Sequence, residues 1–225
     1  MASVTSVKVL DEAGRGNATD ALAGIQWIID NAERYNIRVA NLSIGTIDSG
    51  STDPLVRAVE AAWERGIVMV IAAGNNGPAR QSITSPGTSR RVITVGAIDD
   101  DNLVDVGGNS VKNFSGRGPT LECIVKPDFV APGCGIVSVK SNSPEMPAAR
   151  RDKLKVVDKH YVEMSGTSMA SPQIAGAVAV LLSMRPQLTP DEVKLRLKHS
   201  AVDMRFSPNR QGWGVPSIEK LLANL

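Results

Sequence analysis

Two histidines and two cysteines in 225 residues set the first limits on the chemistry of this chain. Imidazole is the side chain that exchanges a proton near neutral pH without help from its surroundings, and here it occurs only at His160 and His199. Cys123 and Cys134 lack the spacing of a metal-binding motif, and one pair of cysteines does not make a disulfide scaffold. They are expected as two buried thiols or one bridge. Charge of a single sign is scarce too, since 25 Lys and Arg against 23 Asp and Glu leave +2. One basic cluster, Arg150-Arg151-Asp152-Lys153-Leu154-Lys155, reads as a solvated loop. That balance argues against nucleic acid or a membrane surface as a partner. The longest apolar run, Ile174 to Leu182, falls well short of the ~20 residues that cross a bilayer, and no leader pattern opens the sequence. With 42% hydrophobic and 21% charged residues, the expectation is a soluble chain of one domain whose compartment stays open.

What is present is a regular alternation. Val4 to Leu10, rich in β-branched residues, predicts a strand closed by the turn formers Asp11 to Gly16. A helix capped by Thr19 or Asp20 follows, with Leu22, Ile25, Ile28, Ile29 and Ala32 on one face. Val39 to Ile44 is a short apolar strand and Gly45 to Thr52 a small-residue loop. Asp53 and Pro54 then open a helix that turns Leu55, Val59 and Ala62 to the core and stops at Gly66. Ile67 to Ala72 and Val92 to Ala97 are further strands. Strands apolar on both faces, alternating with amphipathic helices, predict an α/β fold whose parallel sheet is covered on both sides. Irregular β structure is expected from Gly107 to Gly135, and an exposed excursion from Asn142 to Lys159. The acidic turn Asp99-Asp100-Asp101-Asn102 lacks the glycine and distant glutamate of a calcium loop and reads as solvated. Thr189-Pro190-Asp191-Glu192 is a capping box that opens a helix to about His199, and Ser217 caps a short last helix through Leu222.

The stretch richest in chemistry is Met164-Ser165-Gly166-Thr167-Ser168-Met169-Ala170-Ser171-Pro172, a glycine-bearing turn that runs straight into Ile174 to Leu182. Ser168 falls in the first turn of the helix. There the unpaired N–H groups and the positive end of the helix dipole favour an anion, so a hydroxyl can attack a carbonyl while its own N–H receives the oxyanion. An N-capping serine on a core helix is the plainer alternative.

Those nine residues resemble the nucleophile motif of the subtilisin-like serine peptidases, the subtilases, with Ser168 at the nucleophile position. Asn41-Leu42-Ser43-Ile44-Gly45 resembles the family's substrate-binding strand, and Ala72-Ala73-Gly74-Asn75-Asn76-Gly77 its oxyanion segment. Val92 to Ala97 and Lys126 to Gly133 resemble later core blocks, so the likeness covers nearly the whole chain. It implies a subtilisin-like parallel sheet with helices on both faces, lacking the N-terminal strands, with residues 1–225 as a single, partial catalytic domain. It further implies a serine endopeptidase acting on polypeptides through an acyl-enzyme on Ser168, with Asn75 as oxyanion donor. Ser43, Ile44 and Gly45 would form one wall of the first specificity pocket, and Ala72, Ala73 and Gly74 the other. Read without the resemblance, Asn75 is a turn residue and these walls are strand ends running into loops. Ser85-Pro86 matches a position near the pocket where a cis proline occurs.

In the subtilases the acid and the histidine base precede the serine, in segments ahead of the strand that Val4 to Leu10 resembles. Neither His160 nor His199 matches the family's histidine motif, and both are expected to be structural or exposed. The base and acid are therefore expected from an N-terminal segment. The sheet edges left without it are expected to be satisfied by that segment as a complementing piece, by self-association through exchange of elements between copies, or by direct closure of the two strands in a rearranged sheet. The missing strand belongs between Val4–Leu10 and Val39–Ile44. Calcium is implied by the family, but no ligand can be carried over and no other cofactor is expected. A non-catalytic peptide-binding or assembly fragment is the alternative. A small-ester hydrolase is disfavoured, because no Gly-x-Ser-x-Gly elbow surrounds Ser168.

Overall fold

Four short parallel strands carry the fold of this computed structural model, which describes residues 2–46, 52–141 and 154–223. Most of the basic cluster and of the excursion from Asn142 lies outside the described residues, as does most of the loop after Gly45. Strands β1 (Val39–Leu42), β2 (Val68–Ala72) and β3 (Ile93–Ala97) pair in that order, and Phe129–Ala131 completes the sheet beyond β3. Val39 sits opposite Val68, Val70 opposite Ile93, and Val95 opposite Phe129. β2 and β3 are buried at every position, which is why they read as continuous apolar runs instead of alternating.

Helix α1 (Ala18–Tyr35) precedes β1, and α2 (Pro54–Glu64) joins β1 to β2. α2 packs on β2 and α1 packs on α2. The start of α2 follows the expectation, with Asp53 Oδ1 accepting the Leu55 N–H at 2.8 Å and Pro54 in the first turn. α1 differs. Its cap is Asn17, whose Oδ1 accepts from Asp20 N at 2.8 Å, so Thr19 and Asp20 lie inside the first turn. An asparagine one residue before a helix-forming alanine reaches the third amide as well as a threonine would, and local sequence does not separate the two.

Helix α3 (Thr167–Met184) crosses all four strands of the main sheet. Ala170, Ile174, Ala177, Val178, Leu181 and Leu182 are its buried apolar residues, and small side chains let it lie close over the sheet. By length and composition α3 alone among the described helices could span a bilayer, and in this fold its apolar surface packs on β1, β2 and β3. The sheet is joined by a hairpin, β4 (Val104–Val106) with β5 (Asn109–Val111), before the Phe129–Ala131 strand, which is β6. A second, antiparallel sheet has the order β7 (Ile136–Val139), β9 (Tyr161–Met164), β8 (Lys155–Val156). Helix α4 (Pro190–Ser200) opens with the expected capping box at Thr189 and Glu192. A small pair, β10 (Ala201–Val202) with β11 (Val215–Pro216), flanks the short α5 (Pro208–Gln211). Ser217 Oγ accepts from Lys220 N at the start of α6 (Ile218–Ala223).

Three expectations are corrected. Val4 to Leu10 forms no strand. Val7 and Val9 lie along α1, close enough that a Cβ on Gly24 would come within 2.5 Å of Val9 Cγ1. A strand needs a ladder partner, and among the described residues β1 pairs only with β2, leaving its other edge open. The acidic turn is solvated only in its second half, where Asp101 and Asn102 are exposed. Asp99 accepts the N–H groups of Gly133 and Cys134, and Asp100, fully buried, pairs with Arg210 at 3.1 Å and accepts from Ser115 N at 3.0 Å. Arg210 also binds Asp101 at 2.8 Å, so the turn staples the C-terminal segment to the end of β3. The cysteines are neither bridged nor both buried, since Cys123 is free and exposed and Cys134 free and half-buried.

Candidate active site

Parallel strands present their C-terminal ends to one side of the sheet, and the N-terminus of α3 meets them there. Gly166 makes the corner between β9 and α3 with φ +147°, a conformation closed to other residues, and its N–H donates to Gly133 O at 2.8 Å. A Cβ on Gly166 would stand 3.3 Å from Asn75 Nδ2, so the absence of a side chain lets Asn75 close over the turn.

Thr167, fully buried, is the first residue of the helix and holds that asparagine. Both its N–H and its Oγ1 donate to Asn75 Oδ1, each at 3.0 Å, while Oγ1 accepts from Gly74 N at 3.2 Å. With the carbonyl oxygen committed twice, the Asn75 amide orientation is fixed by its partners. Its NH₂ group is left as a donor above the helix N-terminus and makes no hydrogen bond among the described residues. Ser168 is the next residue, half-buried, and its N–H lies in the turn where no intrahelical acceptor exists.

Ser43 and Ser168 clasp each other. Ser168 Oγ donates to Ser43 O at 3.4 Å, and Ser43 Oγ donates to Ser168 O at 3.4 Å and lies 3.1 Å from Ser171 Oγ. The end of β1 is thereby tied to the start of α3, and the long bond leaves the Ser168 hydroxyl loosely held. Ser43–Gly45 leaves β1 and Ala72–Gly74 leaves β2 on either side of a wedge, Thr84. A Cβ on Gly45 or on Gly74 would come within 2.5 Å of Thr84 Oγ1, and Gly74 has φ +89°. Thr84 N donates to Ala73 O at 3.0 Å, and Thr46 and Ser85 exchange two hydrogen bonds of 3.0 Å. The peptide bond Ser85–Pro86 is cis, as the sequence suggests.

All eight residues singled out in the sequence therefore converge on one place. The histidines do not. His160 sits in the turn before β9, exposed, at the end of that strand remote from Ser168, with its backbone bonded to Asp158 and Lys140. His199 lies exposed in the last turn of α4. No hydrogen bond joins either imidazole to Ser168 among the described residues. Near the Gly133–Gly166 contact, burial and then the charge of Asp99 push the Cys134 thiol up to about 12, away from the thiolate form. Among the described residues no group of three or more His, Cys, Asp or Glu side chains could hold a metal ion. Sequence reasoning missed Thr84 and Thr167. Each is the immediate neighbour of a singled-out residue, Ser85 and Ser168, and that adjacency was the available signal.

The sequence pattern described as the subtilase family matches residues 1–214. Serine protease AprX of Bacillus subtilis (strain 168) is 43% identical over 227 residues, covering 97% of this chain and 51% of its own. Subtilisin DY of Bacillus licheniformis is 35% identical, covering 90% of this chain and 62% of its own. The chain thus spans between half and two thirds of these relatives' length. Among solved structures, the S41 psychrophilic protease superposes with a TM-score of 0.70 at 29% identity, covering 93% of this chain and 66% of its own. A cold adapted subtilisin-like serine proteinase gives 0.65 at 28% identity, covering 93% and 63%.

Proposed function

The chain belongs to the subtilase family of serine peptidases, and on that premise we propose that residues 1–225 are the serine-bearing part of an endopeptidase catalytic domain. Ser168 Oγ attacks the carbonyl carbon of an extended polypeptide, and the oxyanion that forms is received by the Ser168 N–H and the Asn75 amide. The C–N bond then breaks, with the proton from the serine passing through a base to the leaving amine. That base, and the acid that orients it, come from a segment outside these residues. The clamp of Thr167 on Asn75 Oδ1 carries the reading, because it leaves an otherwise unused donor held against the residue that precedes Ser168. The substrate backbone adds as a strand along Ser43–Gly45 and Ala72–Gly74, and Thr84 limits the side chain that enters between them. Should calcium be part of the complete protein, no ligand for it is assignable here.

One observation favours the other reading, a peptide-binding or assembly fragment: neither imidazole touches Ser168. The two separate on labelling with a fluorophosphonate probe. The isolated chain is expected to label no faster than a free serine, and addition of a segment that carries the base is expected to make labelling of Ser168 rapid. Rapid labelling of the isolated chain would return the base to His160. No labelling under either condition would leave the binding reading.

The open edge of β1 points to how that segment docks. Backbone groups left unpaired away from water cost about 1–3 kcal/mol each, against a total stability of only ~5–15 kcal/mol. Amide exchange is therefore expected to be fast in the dilute isolated chain at those amides from Val39 to Ser43 that face away from β2. Protection is expected on addition of the segment, or at concentrations where sizing shows self-association. A concentration-independent monomer with both Val7–Leu10 and Val39–Ser43 unprotected, and still a cooperative unfolding transition, would show that nothing needs to fill the edge.

A further inference from the structure

Away from the serine, Lys126 is 1% exposed, a degree of burial at which an unpaired ammonium is not tolerated. Its Nζ lies 2.6 Å from Asp128 Oδ2, 3.0 Å from Thr94 Oγ1 and 3.1 Å from Val92 O. The Thr94 hydroxyl has one proton and donates it to Gly87 O at 2.6 Å, so towards Lys126 it only accepts. The carbonyl and the carboxylate also only accept. Three acceptors around one nitrogen require three donated protons, which an ammonium has. A neutral amine has two, and its lone pair would face an oxygen.

A second ammonium reaches the same oxygens from α4. Lys194 Nζ lies 3.0 Å from Asp128 Oδ1 and 2.9 Å from Val92 O, with the carbonyls of Arg90 and Arg91 at 3.1 and 3.0 Å. Asp128 is itself 6% exposed and accepts the Thr94 N–H at 2.8 Å. Burial pushes Lys126 down to about 7; the charge and hydrogen bond of Asp128 and the charge of Glu60 oppose that fall, and Lys194 adds to it. Hydrogen-bond geometry decides the matter in favour of the charged form, since deprotonation would break one of the three bonds without freeing an oxygen for another donor.

We propose that this oxygen cage is a cation-binding site filled by the chain itself, with the Lys126 ammonium as its bound monovalent cation. The cage acts on the pocket through a short relay. Lys126 holds the Thr94 hydroxyl, that hydroxyl holds Gly87 O, and the Gly87 N–H donates to Thr84 O at 2.8 Å. Lys126 is thus a positioning residue for the Thr84 wedge. This last link rests on the pocket assigned above, and the cage itself does not.

Chemical rescue tests it on the full 225-residue chain. Lys126→Ala removes the ammonium and opens its space, and Tm is expected to fall by about 10 °C. Ammonium chloride or potassium chloride at about 0.2 M is expected to recover at least half of the loss. Choline chloride at the same ionic strength, too large to enter, recovers none. Equal recovery in all three salts, or no initial loss, overturns the proposal. Lys126→Met fills the space without charge and is expected to lose as much Tm with no rescue by any salt; a Lys126→Met protein as stable as the wild type overturns it equally. If Lys126→Ala does not fold, nitrogen NMR of the wild type decides, because the cage requires a three-proton ammonium at about pH 8 and a two-proton amine there refutes it. Amide exchange at Thr84 and Gly87 reads the relay. It rises in Lys126→Ala and returns with ammonium; rescued melting with unchanged exchange at these two amides refutes the coupling while the cage stands, whatever becomes of the peptidase reading.

Discussion

Ser168→Ala, introduced into the protein complemented with its base, lowers turnover by about a millionfold, the loss found when the serine of a subtilisin is removed. In the proposed mechanism the hydroxyl forms the covalent bond of the reaction, so its loss falls on kcat and leaves KM for a peptide substrate within about threefold. The fold supplies the control. Ser168 Oγ makes a single long hydrogen bond, 3.4 Å to Ser43 O, and its removal leaves no well-bonded buried partner behind. Melting of the variant is accordingly expected within about 0.5 kcal/mol of the parent. Steady-state kinetics and thermal melting on the same preparation check both halves. Turnover retained within tenfold would remove Ser168 from the role of nucleophile.

Asn75→Leu comes next in size, with turnover reduced about a hundred- to thousandfold and KM little changed, the range found for the equivalent donor in a subtilisin. In the proposed mechanism its donor serves charge that develops only as the carbonyl is attacked. The substitution also has a structural cost, because Thr167 is fully buried and gives two hydrogen bonds to Asn75 Oδ1. Leaving them unmade costs about 1–3 kcal/mol of stability. Thr167→Val separates the effects. It keeps the Asn75 donor and the backbone N–H bond but drops the hydroxyl, so a smaller loss of kcat is expected, with KM again unchanged. A rise in KM alone for Asn75→Leu would mean that Asn75 only shapes its loop.

Where a residue's partner is close in sequence, the sequence reveals its role. Asp53 caps α2 two residues on, and Thr189 and Glu192 close their capping box within one turn. The convergence of Ser43, Asn75 and Ser168 was legible for another reason, since each lies in a motif that resembles a subtilase block; without that resemblance Asn75 reads as a turn residue and Ser43 as a strand end. Partners distant along the chain were hidden. Asp100 looked solvated because Arg210, 110 positions away, does not announce itself in the sequence of the turn. Thr84 is an ordinary loop residue until Gly45 and Gly74 are seen to leave room for it. Val4 to Leu10 has the composition of a strand, yet composition supplies no ladder. Lys126 resembles any lysine beside a proline, and only its burial against Val92, Thr94 and Asp128 gives it a role.

The Thr167 clamp bears on how complementation would proceed in time. The proposed nucleophile and both oxyanion donors ride on one covalent piece, with Asn75 pinned to the residue beside Ser168. An arriving segment would then deliver only a proton acceptor and its orienting acid to a half-site already set. Activity should appear with second-order kinetics and saturate with segment concentration, and the concentration giving half-maximal activity should equal the dissociation constant of the segment. Segments of different affinity should reach the same plateau, so long as each presents its imidazole alike, and changes within the segment should alter occupancy without altering how well an oxyanion is held.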